Sequence, residues 1–217
     1  VRLACQLIVD RDLTVTISDE ARFFEQTILT EGVERVQALE PNVRKRFISL
    51  PEPTVEDQRS CVDRVVEALE EEGEEDTIAI DLPLVRQLPA LMRQEDFAGT
   101  AVLVGNRIEG MEPGNTTDQM WGIAFDIGTT TVVATLVDLQ SGRQVAVASR
   151  TNPQVHFGDD VVSRITYVEE HEDGMKNMRG RLMRCLNELI VELADEAGIE
   201  TEQIYEAVMV GNTTMSH

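Results

Sequence analysis

Residues 121–139 read WGIAFDIGTTTVVATLVDL, two apolar runs of strand length parted by a glycine and three threonines. A turn that tight joins neighbouring strands, so this part of the chain must build a sheet. WGIAFD is apolar on both alternations, which predicts a strand covered on both faces. RQVAVAS, reached through the turn QSGR, predicts a third strand. Residues 175–197 then repeat Met175, Met178, Leu182, Cys185, Leu186, Leu189, Ile190, Leu193 and Ala197 every three or four positions, the period of an amphipathic helix. Gly198 stands where a left-handed C-cap belongs, with Ile199 placed to pack back on the last turn. YEAVMVG follows as a fourth strand, parallel to the first if the helix serves as the crossover.

Ahead of this unit the signals are weaker. RLACQLIVDRDLTVTI ends in Leu13, Val15 and Ile17, the alternation of a strand. Residues 18–44 lack a steady period and read as a connecting segment. Phe47 to Leu50 predict a short strand stopped by Pro51 and Pro53. Thr54 with Asp57 resembles a capping arrangement, leading into Val55, Val62, Val65, Val66 and Leu69 at helical spacing. The acidic run of Glu67 and Glu70 to Asp76 reads as a solvated helix end and loop, not as a metal site. TIAIDL predicts a strand, PLVRQLPALMRQ a helix with an interior proline, and TAVLVGNRIEGM a hairpin turning at Gly105-Asn106. Residues 45–115 thus form a small α/β domain without a catalytic constellation, and EPGNTTDQ supplies a boundary.

Composition narrows the functions. A net charge of -21 over 217 residues repels polyanions, which argues against nucleic acid and an anionic membrane face. No apolar run is long enough to span a bilayer, and Val1 does not open a signal peptide. Cys5, Cys61 and Cys185 are too few and scattered for a disulfide framework. Cys61 and Cys185 fall on the apolar sides of predicted helices, as small core residues do. A reducing cytoplasm is the expected compartment. The abrupt start and the abrupt end at VGNTTMSH suggest a piece of a longer protein.

The turn FDIGTTT carries the chemistry. Gly128 lets another group approach the backbone closely. Thr129, Thr130 and Thr131 add hydroxyl donors, and consecutive N–H groups make an anion-binding concavity. Asp126 repels phosphate directly, so its partner is a hydrated Mg²⁺ or the attacking water. The plain alternative is a hairpin that binds nothing. A second turn of the same kind, VGNTTM, follows the fourth strand and offers Gly211, Asn212, Thr213 and Thr214. A parallel fourth strand brings both turns to one sheet edge, which favours phosphate binding over a simple hairpin. For VGNTTM the competing reading is the capped start of a helix, with Thr213 or Thr214 as N-cap. Asp159 or Asp160 in FGDDVVSRI either caps a helix, or Asp160 and Arg164 face the cleft. His156 and His217 have no ligand spacing to other donors.

WGIAFDIGTTTVVATLVDL resembles the first phosphate motif of the superfamily of actin-like ATPases, sugar kinases and chaperone ATPases. NPQVHFGDDVVSRI and VGNTTMSH are similar to the ATPase portion of the reductive activators of corrinoid proteins. The resemblance implies an α/β chain in four parts. Residues 1–17 would be the tail of a [2Fe–2S] ferredoxin-like domain, 18–44 a linker and 45–115 a small α/β middle domain. Residues 118–217 would be the first part of a ribonuclease H-like, actin-like ATPase domain. RLACQ is similar to the segment carrying the fourth cluster cysteine of such ferredoxins, so the resemblance makes Cys5 a cluster ligand; read alone, Cys5 is an ordinary structural residue. It further implies ATP with Mg²⁺, with Asp126 and Asp160 as catalytic carboxylates and the two glycine–threonine turns as the phosphate-binding residues. The implied activity is one-electron reduction of Co(II) to Co(I) on a corrinoid protein or cobalamin-dependent methyltransferase, fed by an upstream electron donor, with a homodimer as a candidate assembly. This stretch by itself is expected to be inactive and free of iron. Two other readings stand beside it: a kinase or acyl-activating ATPase of the same superfamily, and a non-enzymatic assembly module.

Overall fold

The computed structural model describes residues 39–74, 78–94 and 96–215. The expected strand at 13–17, most of the connecting segment and Cys5 lie outside the described residues. The rest is mixed α/β with two four-stranded sheets, each with its own hydrophobic core.

The first sheet runs β1-β3-β4-β2, built from β1 (Val43–Ser49), β2 (Ala79–Ile80), β3 (Ala98–Val104) and β4 (Arg107–Pro113). β3 and β4 form the expected hairpin, with Gly105 at φ +57° in its turn. Helices α1 (Cys61–Glu71) and α2 (Leu82–Gln94) bring Val65, Leu69, Leu88 and Met92 onto Ile48, Ala101, Leu103 and Ile108. Cys61 is half-buried at the rim of this core, and burial pushes its thiol up.

Four expectations change here. β1 starts at Val43, because Lys45 is buried and alternates with Val43 as a strand residue must. α1 is capped by Ser60 and Asp63, a reciprocal box, while Thr54 only accepts a weak bond from the Asp57 amide ahead of the helix. TIAIDL contributes a strand of two residues. Finally, Glu74 is buried: Arg44 and Arg46 of β1 grip it, and the Arg44 hydrogen bond holds its carboxyl below the usual range.

The second sheet runs β7-β6-β5-β8, from β5 (Trp121–Ile127), β6 (Thr131–Asp138), β7 (Gln144–Thr151) and β8 (Ile204–Gly211). β5, β6 and β7 are successive antiparallel strands, and β8 returns parallel to β5. The crossover contains α3 (Val161–Glu170) and α4 (Gly174–Ala197). α4 is about 36 Å long at 1.5 Å per residue and lays Cys185, Leu186, Leu189 and Leu193 on Ile123, Phe125, Val132, Ala134 and Leu136. Each of the larger side chains contributes roughly 1.5–3 kcal/mol by leaving water. Gly198 ends α4 at φ +67°, and the Ile199 amide reaches back to the Ala194 carbonyl at 3.0 Å. Cys185 is buried, with its thiol pushed up by burial.

β5 departs from its expected two-sided cover. Ile123, Phe125 and Ile127 are buried, but Ala124 and Asp126 between them are exposed. Only the α4 face is packed. On β8 the same open side extends to Val208 and Val210, the partners of Ala124 and Asp126, each more than half exposed.

A polar strut joins the sheets. Lys45 Nζ donates to Glu112 at 2.7 Å and to the Gln119 carbonyl at 2.6 Å, and lies 4.5 Å from the Tyr205 ring centre. Glu112 also accepts from the hydroxyls of Thr116 and Tyr205. The Val43 amide bonds Glu206 on β8 at 2.9 Å. Val43, Val102 and Met120 seal this junction with apolar surface. Among the described residues no helix is long and apolar enough to cross a membrane.

Candidate functional site

The pairing of β5 with β8 decides where the two glycine–threonine turns go. The strands are parallel, with Asp126 opposite Val210 and Ile127 opposite Gly211. Both turns therefore leave the sheet side by side at the carboxyl edge, where open α/β sheets present ligand sites.

The first turn is held from behind. The Gly128 amide bonds the Thr131 carbonyl at 2.9 Å, and a Cβ on Gly128 would meet that oxygen at 2.9 Å, so glycine is required by close approach. Asn152, fully buried, donates from its side chain to the Gly128 carbonyl at 2.8 Å and from its amide to the Thr130 carbonyl at 2.7 Å. The Arg164 guanidinium donates to the Thr129 carbonyl. Three successive carbonyls thus point into the protein. In a planar trans peptide the N–H lies opposite the C=O, so the amides of Thr129 and Thr130 are directed the other way, to the outer side. Asp126 is exposed at the end of β5. Outward amides, hydroxyls and a free-standing carboxylate are the donor set that a phosphate with a hydrated cation needs.

The second turn folds against the first strand. A Cβ on Gly211 would come within 3.0 Å of the Met215 Cβ and 3.3 Å of the Ile127 carbonyl oxygen. Asn212 closes the turn: its side-chain oxygen accepts from the Met215 amide at 3.0 Å. Within the described residues the acceptor for the Met215 amide is Asn212, three residues before it; the helix start that would use Thr213 or Thr214 as N-cap runs beyond the described residues. Thr213 and Thr214 are left to line a cavity of about 580 Å³. That cavity opens toward α3 and α4, is walled by Ile165, Val168, Met178 and Leu182, and does not include Asp126 or the first turn.

Asp160 is the N-cap of α3, accepting from the Ser163 amide at 2.7 Å, and that bond lowers its carboxyl below the usual range. Of the two readings of Asp160, capping is the one this geometry displays. Arg164, one turn later, is buried at 1% exposure, with Nε bonded to the Gly158 carbonyl at 2.9 Å. Burial lowers its affinity for the proton, against the pull of Asp159 and Asp160. Asn152 and Gln154 were not singled out by sequence reasoning; the one available signal was a polar Asn-Pro-Gln run between a strand and a helix. Among the described residues no three His, Cys, Asp or Glu side chains group as a metal site.

Two family models match the chain from residue 32 onward. Residues 32–118 match the RACo linker region and residues 121–217 the RACo middle region. The chain is 41% identical over 117 residues to the corrinoid activation enzyme RamQ of Eubacterium limosum, spanning 54% of this chain and 20% of that protein. It is also similar to a solved reductive activator for corrinoid, iron-sulfur protein, with 35% identity and a TM-score of 0.74, covering 86% of this chain and 30% of that one. The chain therefore spans less than a third of either relative.

Proposed function

Because the chain belongs to the RACo family, whose linker and middle regions it carries in order, we propose that it contains the phosphate-binding first part of the ATPase domain of an ATP-dependent activator of corrinoid proteins. The observation that carries this reading is the register of β5 against β8, which sets two small, hydroxyl-rich turns at one sheet edge. In the complete protein the Thr129 and Thr130 amides and hydroxyls hold the phosphates of ATP. Asp126 would hold a hydrated Mg²⁺, and Gly211 lets the second turn close against Ile127, beside the first turn. Asp160 acts through α3, whose first turn it fixes.

When bound, Mg²⁺ offsets the charge of the phosphates and lowers the barrier to hydrolysis. The open face of β5 and β8, with Asp126 at its rim, is where the remainder of an actin-like ATPase domain closes over the nucleotide. ATP binding and hydrolysis would drive a conformational cycle, and a [2Fe–2S] cluster held by the complete protein would supply the single electron by which Co(II) of a corrinoid protein becomes Co(I). Cys5 is the cluster thiolate that this chain contributes, and a further protein supplies the electron.

The test uses the complete protein with a Co(II) corrinoid protein and an excess of a one-electron reductant. Hydrolysis of ATP should accompany the absorbance change to Co(I), and Asp126→Ala should abolish both. Reduction at full rate without ATP would remove the proposed role of this edge.

A further inference from the structure

We propose that Arg164 is a positioning residue that couples the two turns, so that the loop from Gly128 to Thr131 and the turn from Asn212 to Met215 open and close as one unit. The proposal rests on reading these turns as a phosphate site, yet its first test needs no nucleotide.

The guanidinium reaches three segments that are distant in sequence. Nη2 donates to the Thr129 carbonyl of the first turn. Nε donates to the Gly158 carbonyl ahead of α3, at 2.9 Å. Nη1 lies 3.9 Å from the Met215 sulfur of the second turn. Its backbone is fixed by α3, where the Arg164 amide bonds the Asp160 carbonyl at 3.2 Å. The planar fork of arginine can serve all three directions from one rigid origin, which neither lysine nor an aliphatic residue can do.

Simple packing does not account for this choice. Arg164 shares its cavity wall with the apolar Ile165, Val168, Met178 and Leu182 as well as with polar neighbours such as Gln154 and Glu169, yet it is itself 1% exposed, a position a leucine or methionine would fill without desolvating a charge. Burying a guanidinium is costly unless its donors are used. Here two are spent on carbonyls of irregular segments, the first being the turn that follows Asp126. No described carboxylate lies within ion-pair distance, so the charge is held by backbone dipoles, with Asp159 and Asp160 acting from farther away. A residue so placed transmits displacement: if the second turn moves, Met215 leaves Nη1 and the fork that holds Thr129 loses one wall.

The test is hydrogen exchange in this chain, comparing wild type with Arg164→Gln and Arg164→Lys. The reporters are the amides of Gly128 and Met215, bonded to the carbonyls of Thr131 and Asn212, with Phe125 in β5 as the reference. Arg164→Gln should accelerate both reporters about tenfold, equivalent to about 1.4 kcal/mol, and leave Phe125 unchanged. Arg164→Lys should restore protection at no more than one of the two, since a single ammonium lacks the fork. In the complete protein Arg164→Gln should raise KM for Mg-ATP by a similar factor with kcat within about threefold, because only the fraction of competent molecules falls. Acceleration of Gly128 alone, or of neither reporter, overturns the coupling. So does acceleration in both variants that includes Phe125 equally, which makes Arg164 an ordinary packing residue. Faster exchange at both reporters with an unchanged KM leaves the coupling standing and refutes the phosphate site instead.

Discussion

Removing the Glu112 carboxylate should be the most damaging single change at the junction of the two sheets. Lys45 is 1% exposed at its side chain and Glu112 25%, with 2.7 Å between Nζ and the nearer oxygen. At an effective dielectric near 20, that separation gives a gross attraction of about 6 kcal/mol. Much of this offsets the desolvation of the ammonium, so the net value of the pair is far smaller. Deleting one partner leaves the other charge buried, which typically costs 3–5 kcal/mol. The partial exposure of Glu112 places Glu112→Ala at the lower end, about 3 kcal/mol. Glu112→Gln keeps the shape and loses the charge-assisted bonds, at about 2 kcal/mol. With a urea dependence of roughly 2 kcal/mol per molar, the midpoints should fall by about 1.5 M and 1 M. Circular dichroism reports on both sheets, while Trp121, the one tryptophan, reports on the second. The two transitions should coincide in the wild type and separate in Glu112→Ala. Acid gives an independent check. Burial works to raise the Glu112 carboxyl, but bonds from Lys45, Thr116 and Tyr205 outweigh it and hold it below the ordinary 4.5. A carboxyl lowered by folding stabilises fully above its unfolded value, and that contribution is lost as pH falls through the folded value. The wild-type midpoint should therefore decline below pH 4.5, and less steeply in Glu112→Gln. A Glu112→Gln midpoint within about 0.3 M of wild type at pH 7 would refute the reasoning.

At the sheet edge, Gly211→Val in the complete protein should drive the added Cβ into Met215 and the Ile127 carbonyl. Calorimetry should then show Mg-ATP affinity at least tenfold weaker, and unaltered affinity would place the nucleotide elsewhere. Gly128→Ala should destabilise by about 1–3 kcal/mol in thermal melts, since its Cβ would lie 2.9 Å from the Thr131 oxygen. Asp160→Ala removes the acceptor for the Ser163 amide and should cost about 1 kcal/mol, with Asp160→Asn recovering most of it; equal melting temperatures in all three proteins would dismiss the cap.

The parts of the fold that repeat locally were legible in the sequence. The β3–β4 hairpin, the three strands from Trp121 to Thr151 and α4 with its Gly198 cap all stand where periodicity and turn residues put them. The misreadings share a cause, which is interaction between segments far apart in the chain. Thr54-x-x-Asp57 and Ser60-x-x-Asp63 are the same signature, and only packing of Val65 and Leu69 on the first sheet selects the second. Glu74 looked like one more solvated acid until Arg44 and Arg46 arrived from β1. The apolar look of WGIAFD came partly from Ala124, a residue small enough to leave exposed. At the site, glycines and threonines advertised the turns, but nothing local announced that Asn152 and Arg164 would tie back three carbonyls. Buried polar residues satisfied by distant backbone have no period and no motif.

The topology of the second sheet also dictates when its edge comes into being. β5, β6 and β7 pair with their immediate chain neighbours, contacts that close quickly because little entropy is lost in short loops. β8 must wait for α3 and α4 to be traversed before it can lie against β5. A molecule part-way through folding therefore owns the Asp126 turn but not its companion. Truncating Leu136 in the early hairpins should slow folding, whereas truncating Val208 on β8 should mainly hasten unfolding. On the proposed reading, nucleotide that needs both turns would stabilise the finished molecule alone and act as a late clamp on maturation rather than as a template for it.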